Sequence, residues 1–117
     1  MPTVILDPDS CEFELIGQCY MEHTDLFFQP IFEWLDEFLL INHELVSLNI
    51  KLSYFNTSAV KCIWEFLNRL AKYHKRSGQE VAINWYFDEE DDNMHDIYLD
   101  FEEEIPLKFN HIQSDEG

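Results

Sequence analysis

Glycine is scarce in this chain: Gly17, Gly78 and Gly117 stand alone among 117 residues. No glycine-rich phosphate loop can be written from three isolated glycines, so nucleotide-binding loops of the common types are excluded. Cysteine is equally thin. Cys11, Cys19 and Cys62 are odd in number and form no CxxC pair. A disulfide framework needs more, and the count points to a reducing compartment. Basic residues are few: 7 Lys and Arg stand against 24 Asp and Glu, a net charge of −17. A nucleic-acid backbone or an anionic membrane would repel that surface, so neither is expected as a partner. The opening MPTVILDPDS has no basic segment, and charges interrupt every long apolar stretch. Neither a signal peptide nor a membrane span is expected, and the reading is an acidic cytoplasmic protein.

Catalytic and metal motifs are also missing. His23, His43, His74, His95 and His111 lie on separate segments without the paired spacing that zinc requires. No nucleophile-elbow motif accompanies the serines. The sequence gives no reason to expect an enzyme, a metal or a cofactor.

What is present is a core. Hydrophobic residues make up 46% of the chain and aromatics 15%, with ten phenylalanines. That supports one domain over 1–117 and excludes disorder. Thr3–Leu6 and the alternating segment through Phe13, Leu15 and Ile16 flank the turn signal Asp7-Pro8-Asp9-Ser10, which predicts a β-hairpin. Phe27, Ile31, Trp34, Leu35, Phe38 and Leu39 recur at helical spacing behind Thr24-Asp25. Pro30 falls inside that pattern and is expected to end a first turn or kink the helix. A strand is predicted over Glu44 to Tyr54. A helix from Val60 to near Gly78 follows, with Trp64 and Leu67 in the core. Then come a strand from Val81 to Phe87, a helix through Met94, Ile97, Tyr98 and Phe101 stopped by Pro106, and a last strand over Leu107 to Ile112. The predicted order is β-β-α-β-α-β-α-β. It gives an α/β fold, a mixed sheet of four to five strands flanked by about three helices.

Residues 88 to 104 hold ten acids and no Lys or Arg. Asn93 stands where a calcium loop counted from Asp88 needs glycine, so the run reads as a solvated face. Arg69, Lys72, Lys75 and Arg76 fall in the last turns of the second helix, where cations complement the helix dipole. Between the central strand and that helix lies Tyr54-Phe55-Asn56-Thr57-Ser58-Ala59. Hydroxyl and amide side chains at a helix start serve as caps. A phosphate there would also meet free backbone N–H groups and add about −1.5 to −2 charge to an exposed loop. Residue physics alone leaves cap and switch both open.

Four stretches carry a family resemblance: Phe13-Glu14-Leu15-Ile16-Gly17, Phe28-Gln29-Pro30-Ile31-Phe32-Glu33-Trp34-Leu35, Tyr54-Phe55-Asn56-Thr57-Ser58, and Ile83-Asn84-Trp85-Tyr86-Phe87-Asp88. Across nearly the whole chain the sequence resembles the SiaC family of bacterial regulatory phosphoproteins. The resemblance implies a STAS-like fold, that of anti-sigma-factor antagonists, and a partner-switching role without catalysis. It implies phosphorylation of Thr57 by a dedicated serine/threonine kinase and removal of the phosphate by a PP2C-type phosphatase. It further implies that the unphosphorylated form binds a GGDEF-domain diguanylate cyclase and promotes cyclic-di-GMP synthesis, which governs biofilm formation and aggregation. Thr57 is the implied acceptor, with Ser58 as the weaker alternative, and Asn56, Thr57 and Ser58 form the implied partner-binding loop. The competing reading is a small acidic interaction module without a phospho-switch.

Overall fold

A computed structural model describes residues 2–19 and 22–114, the side chain of Phe55 apart. Within them the chain forms β1 (Thr3–Asp7), β2 (Glu12–Cys19), α1 (Thr24–Ile41), β3 (Val46–Phe55), α2 (Thr57–Ser77), β4 (Val81–Phe87), α3 (Asp92–Glu104) and β5 (Lys108–Gln113). The sheet runs β1-β2-β3-β4-β5. The β1–β2 hairpin is antiparallel, and the other three pairings are parallel. The expected mixed α/β class and element order are therefore observed, with five strands.

Each parallel pair is joined by one helix, and the strands follow one another across the sheet without reversal. Right-handed crossovers then place all three helices on the same face. Side-chain alternation agrees. Phe13, Leu15, Val46, Leu48, Ile50, Leu52, Val81, Ile83, Trp85 and Phe87 are buried beneath the helices. Phe13 meets Trp34 and Phe38 of α1 edge-on and Phe66 of α2 at 6.5 Å. Trp85 lies against Tyr98 and Phe101 of α3.

The opposite face of the sheet carries no helix. Its residues alternate with the core set and are polar where the strands are most central. Asn110 donates to Asn84 at 3.0 Å, Asn84 to Asn49 at 3.0 Å, and Asn49 to Glu14 at 3.4 Å. Lys51 pairs with Glu14 at 3.1 Å. Parallel strands are ordinarily covered on both sides. Here a ladder of amides satisfies the exposed row instead.

Two expectations need correction. Pro30 does not end a first turn of α1, which continues to Ile41. Pro30 is exposed, as is Leu26, so the carbonyl that loses its helical partner lies on the solvent side, where water can take it. Trp64 is half-buried rather than core, its ring 4.5 Å from Phe101 at the seam between α2 and α3, whereas Leu67 is fully buried.

Candidate functional site

The implied loop sits at the carboxyl-terminal edge of the sheet, where β3 gives way to α2. A register shift precedes it: Gly17 pairs with Leu52 but Gln18 pairs with Tyr54, leaving Ser53 as the extra residue of a bulge. Gly17 takes φ +105, a value side-chain-bearing residues rarely adopt. The bulge inverts the alternation, so Tyr54, which would otherwise point into the core, is 48% exposed.

Asn56 is the N-cap of α2. Its side-chain oxygen accepts from the Ala59 N–H at 3.0 Å and from the Ser58 hydroxyl at 3.1 Å. Its carbonyl accepts from the Val60 N–H, and its own N–H donates to the Cys19 carbonyl, each at 3.0 Å. Thr57 is therefore the first residue of the helix and not its cap. Thr57 is exposed, and its hydroxyl makes no hydrogen bond among the described residues. Ser58 is differently placed. Its hydroxyl lies 3.1 Å from the Asn56 side-chain oxygen and 3.1 Å from the Thr24 hydroxyl, the latter a hydrogen bond that either hydroxyl can donate. Thr24, first residue of α1, is 1% exposed. The contact holds the amino ends of α1 and α2 together. Sequence reasoning missed Thr24 because it lies 34 residues from Ser58.

The electrostatics of the three helix starts differ. Asp25 lies in the first turn of α1, and α3 has Asp92 there with Asp91 as its cap, but the first turn of α2 has no acid. The Thr57 and Ser58 N–H groups are the first-turn donors that Asn56 does not satisfy. Lys61, one turn beyond Thr57 on the same side, is exposed and has no ion-pair partner among the described residues. An exposed hydroxyl, two amide donors without a partner among the described residues, a first turn without an acid and an exposed lysine one turn on thus share the start of α2. That arrangement accommodates an added anion.

The thiols have no such disposition. Burial, with Glu65 second, pushes Cys62 up to about 11, and burial also raises Cys19. Burial and Glu44 raise Cys11. Among the described residues no group of three or more His, Cys, Asp or Glu could hold a metal ion. No described helix is long and apolar enough to cross a membrane. The expected basic cluster partly leaves the dipole of its own helix: Arg69 pairs with Asp36 at 2.9 Å, and Arg76 donates to the Leu39 carbonyl at 2.7 Å. The last turn of α1 has no basic residue of its own.

The SiaC family regulatory phosphoprotein profile matches residues 1–114, and the chain belongs to that family. An uncharacterized protein of Pseudomonas aeruginosa strain UCBPP-PA14 is 24% identical over 108 residues, 92% of this chain and 85% of that one. The crystal structure of apo-SiaC from Pseudomonas aeruginosa is similar with a TM-score of 0.88 at 24% identity, covering 97% of this chain and 91% of that one. SiaC in complex with the diguanylate cyclase SiaD, of which it is the activator, gives 0.90 at 23%, covering 97% and 93%. At these identities the likeness establishes the fold.

Proposed function

We propose that this chain is a phosphorylation-controlled partner-switching regulator. Unphosphorylated, it binds a diguanylate cyclase of the GGDEF type and promotes cyclic-di-GMP synthesis. A serine/threonine kinase places phosphate on Thr57, which ends that binding, and a PP2C-type phosphatase restores it. The chain acts through binding, without catalysis of its own, in the cytoplasm. One observation carries the reading: the Thr57 hydroxyl is exposed at the start of α2 and makes no hydrogen bond among the described residues, whereas the Ser58 hydroxyl is engaged with both Asn56 and Thr24. Membership in a family of regulatory phosphoproteins supports it. So does the activator role of the SiaC that was solved with SiaD.

The mechanism follows from charge. Phosphate on Thr57 adds about −1.5 to −2 charge at a surface that is otherwise an uncharged hydroxyl. The Thr57 and Ser58 N–H groups, the helix dipole and Lys61 favour the phosphorylated state without any change of fold. A docking surface shaped for the hydroxyl must then desolvate a dianion, which opposes association. The test is intact-mass analysis with peptide mapping after incubation with a candidate serine/threonine kinase. One phosphate on Thr57, absent in Thr57→Ala, is expected. Phosphate elsewhere, or none, would reduce the loop to a cap and leave an acidic interaction module without a switch.

A further inference from the structure

At the other ends of α1 and α2 the surface has the opposite character. Leu40 and Ile41, in the last turn of α1, are 68% and 76% exposed, and Leu45 just beyond is 51% exposed. Adjacent large aliphatic side chains this exposed mark docking surfaces. Leu40 also lines a groove of about 490 Å³ between α1 and α2, whose charged residues are Glu65, Lys72, Arg76 and the paired Arg69 and Asp36.

The loop beside the groove is fixed. Asn42 donates to the Tyr73 hydroxyl at 2.9 Å and to the Glu44 carbonyl at 3.1 Å, and Tyr73 donates to the same carbonyl. Glu44 turns its carboxylate toward Cys11, 3.7 Å from the sulfur. Arg76 spends one amino group on the Leu39 carbonyl and keeps other donors. Lys72 is exposed and has no ion-pair partner among the described residues. A molecule of charge −17 thus presents Lys72 and Arg76 near exposed aliphatic side chains.

We infer that this surface docks an acidic amphipathic helix of a protein partner, its aliphatic side chains on Leu40, Ile41 and Leu45 and its carboxylates on Lys72 and Arg76. The surrounding acids would repel an extended polyanion such as nucleic acid or a lipid surface, whereas a short helix covers the patch alone. Thr57 and Arg76 lie 19 residues apart along α2, about 29 Å at 1.5 Å per residue. That exceeds the Debye length of about 8 Å at physiological salt. Docking here is therefore independent of the phosphorylation state of Thr57 and does not rest on the reading of that residue.

The test is a heteronuclear NMR titration of the full chain with a synthetic helical peptide whose Glu and Leu residues line opposite faces. A matched peptide with Lys in place of Glu is the control. Shifts confined to residues 39–45 and 69–76, at least tenfold weaker in Lys72→Glu and in Leu40→Ser and retained in Lys72→Arg, are expected. Shifts elsewhere, equal binding of the Lys peptide, or no shifts at millimolar peptide would overturn the inference. So would a doubled mass in light scattering of the chain alone that Leu40→Ser abolishes, since the occupant would then be a second copy. Binding to phosphatidylserine vesicles through Lys72 would overturn it as well.

Discussion

Thr57 and its two neighbours divide the labour of one turn. Asn56 caps, Ser58 ties α2 to α1 through Thr24, and the Thr57 hydroxyl makes no hydrogen bond among the described residues. Asn56→Ala should therefore cost about 1 kcal/mol, a fall of roughly 4 °C in melting temperature. Thr57→Ala should cost less than about 0.5 kcal/mol, as surface changes that break no contact do. Thermal melts of the two variants check this, and a larger loss for Thr57→Ala would contradict the cap assignment. The resemblance pointed to Thr57, but which of Asn56 and Thr57 caps the helix depends on where α2 begins, a boundary that periodicity leaves loose by a few residues. Cys62 gives a pH prediction. Its thiol is raised from 9.0 to about 11, so the folded state holds the proton more tightly than the unfolded chain. The associated stability is complete below about 9 and is lost as pH rises toward 11, on the order of 2 kcal/mol in all. Urea melts from pH 8 to 11 should show that decline, and Cys62→Ala should make it shallower, leaving the part due to Tyr98, whose hydroxyl burial pushes up to about 12.

At the scale of elements, the strands and helices were legible where apolar spacing was long and regular. Val81 to Phe87 is a strand with the bounds that its alternation predicts, and α2 ends at Ser77 before Gly78, which takes φ +76. Pro30 does not end the helix because the carbonyl it leaves without a partner, one turn back, belongs to exposed Leu26. Trp64 misled because helical spacing gives the stripe but not how far α3 covers its flank. That all helices share one face came from strand order, which no local pattern carries. The alternation of Ser47, Asn49 and Lys51 with Val46, Leu48 and Ile50 already carried the polar open face. The bulge at Gly17 was not legible, since a lone glycine in a strand has many uses. Gly17→Ala should destabilise the protein by about 1–2 kcal/mol through backbone strain. The space is open, the nearest atom to a new side chain being the Pro2 Cα at 4.0 Å. A neutral result in chemical denaturation would show the bulge to be dispensable.

For the whole molecule, 24 acids against 7 bases make self-repulsion the prevailing long-range force. Only two side-chain ion pairs, Lys51–Glu14 and Arg69–Asp36, form among the described residues. Raising sodium chloride from about 10 to 150 mM shortens the Debye length from about 30 to 8 Å, so the melting temperature should climb over that range. A falling or flat curve would mean that the acids are compensated. On the proposed reading, an uncharged hydroxyl at the sheet edge is where added charge alters association without touching the core. The central claim is that phosphate on Thr57 decides whether the cyclase is bound. Isothermal titration of the purified diguanylate cyclase with the unphosphorylated chain and with the Thr57-phosphorylated chain measures this directly. Binding by the first, lost or weakened at least tenfold in the second with both melting cooperatively, is the predicted result; equal affinity of the two forms would contradict the account.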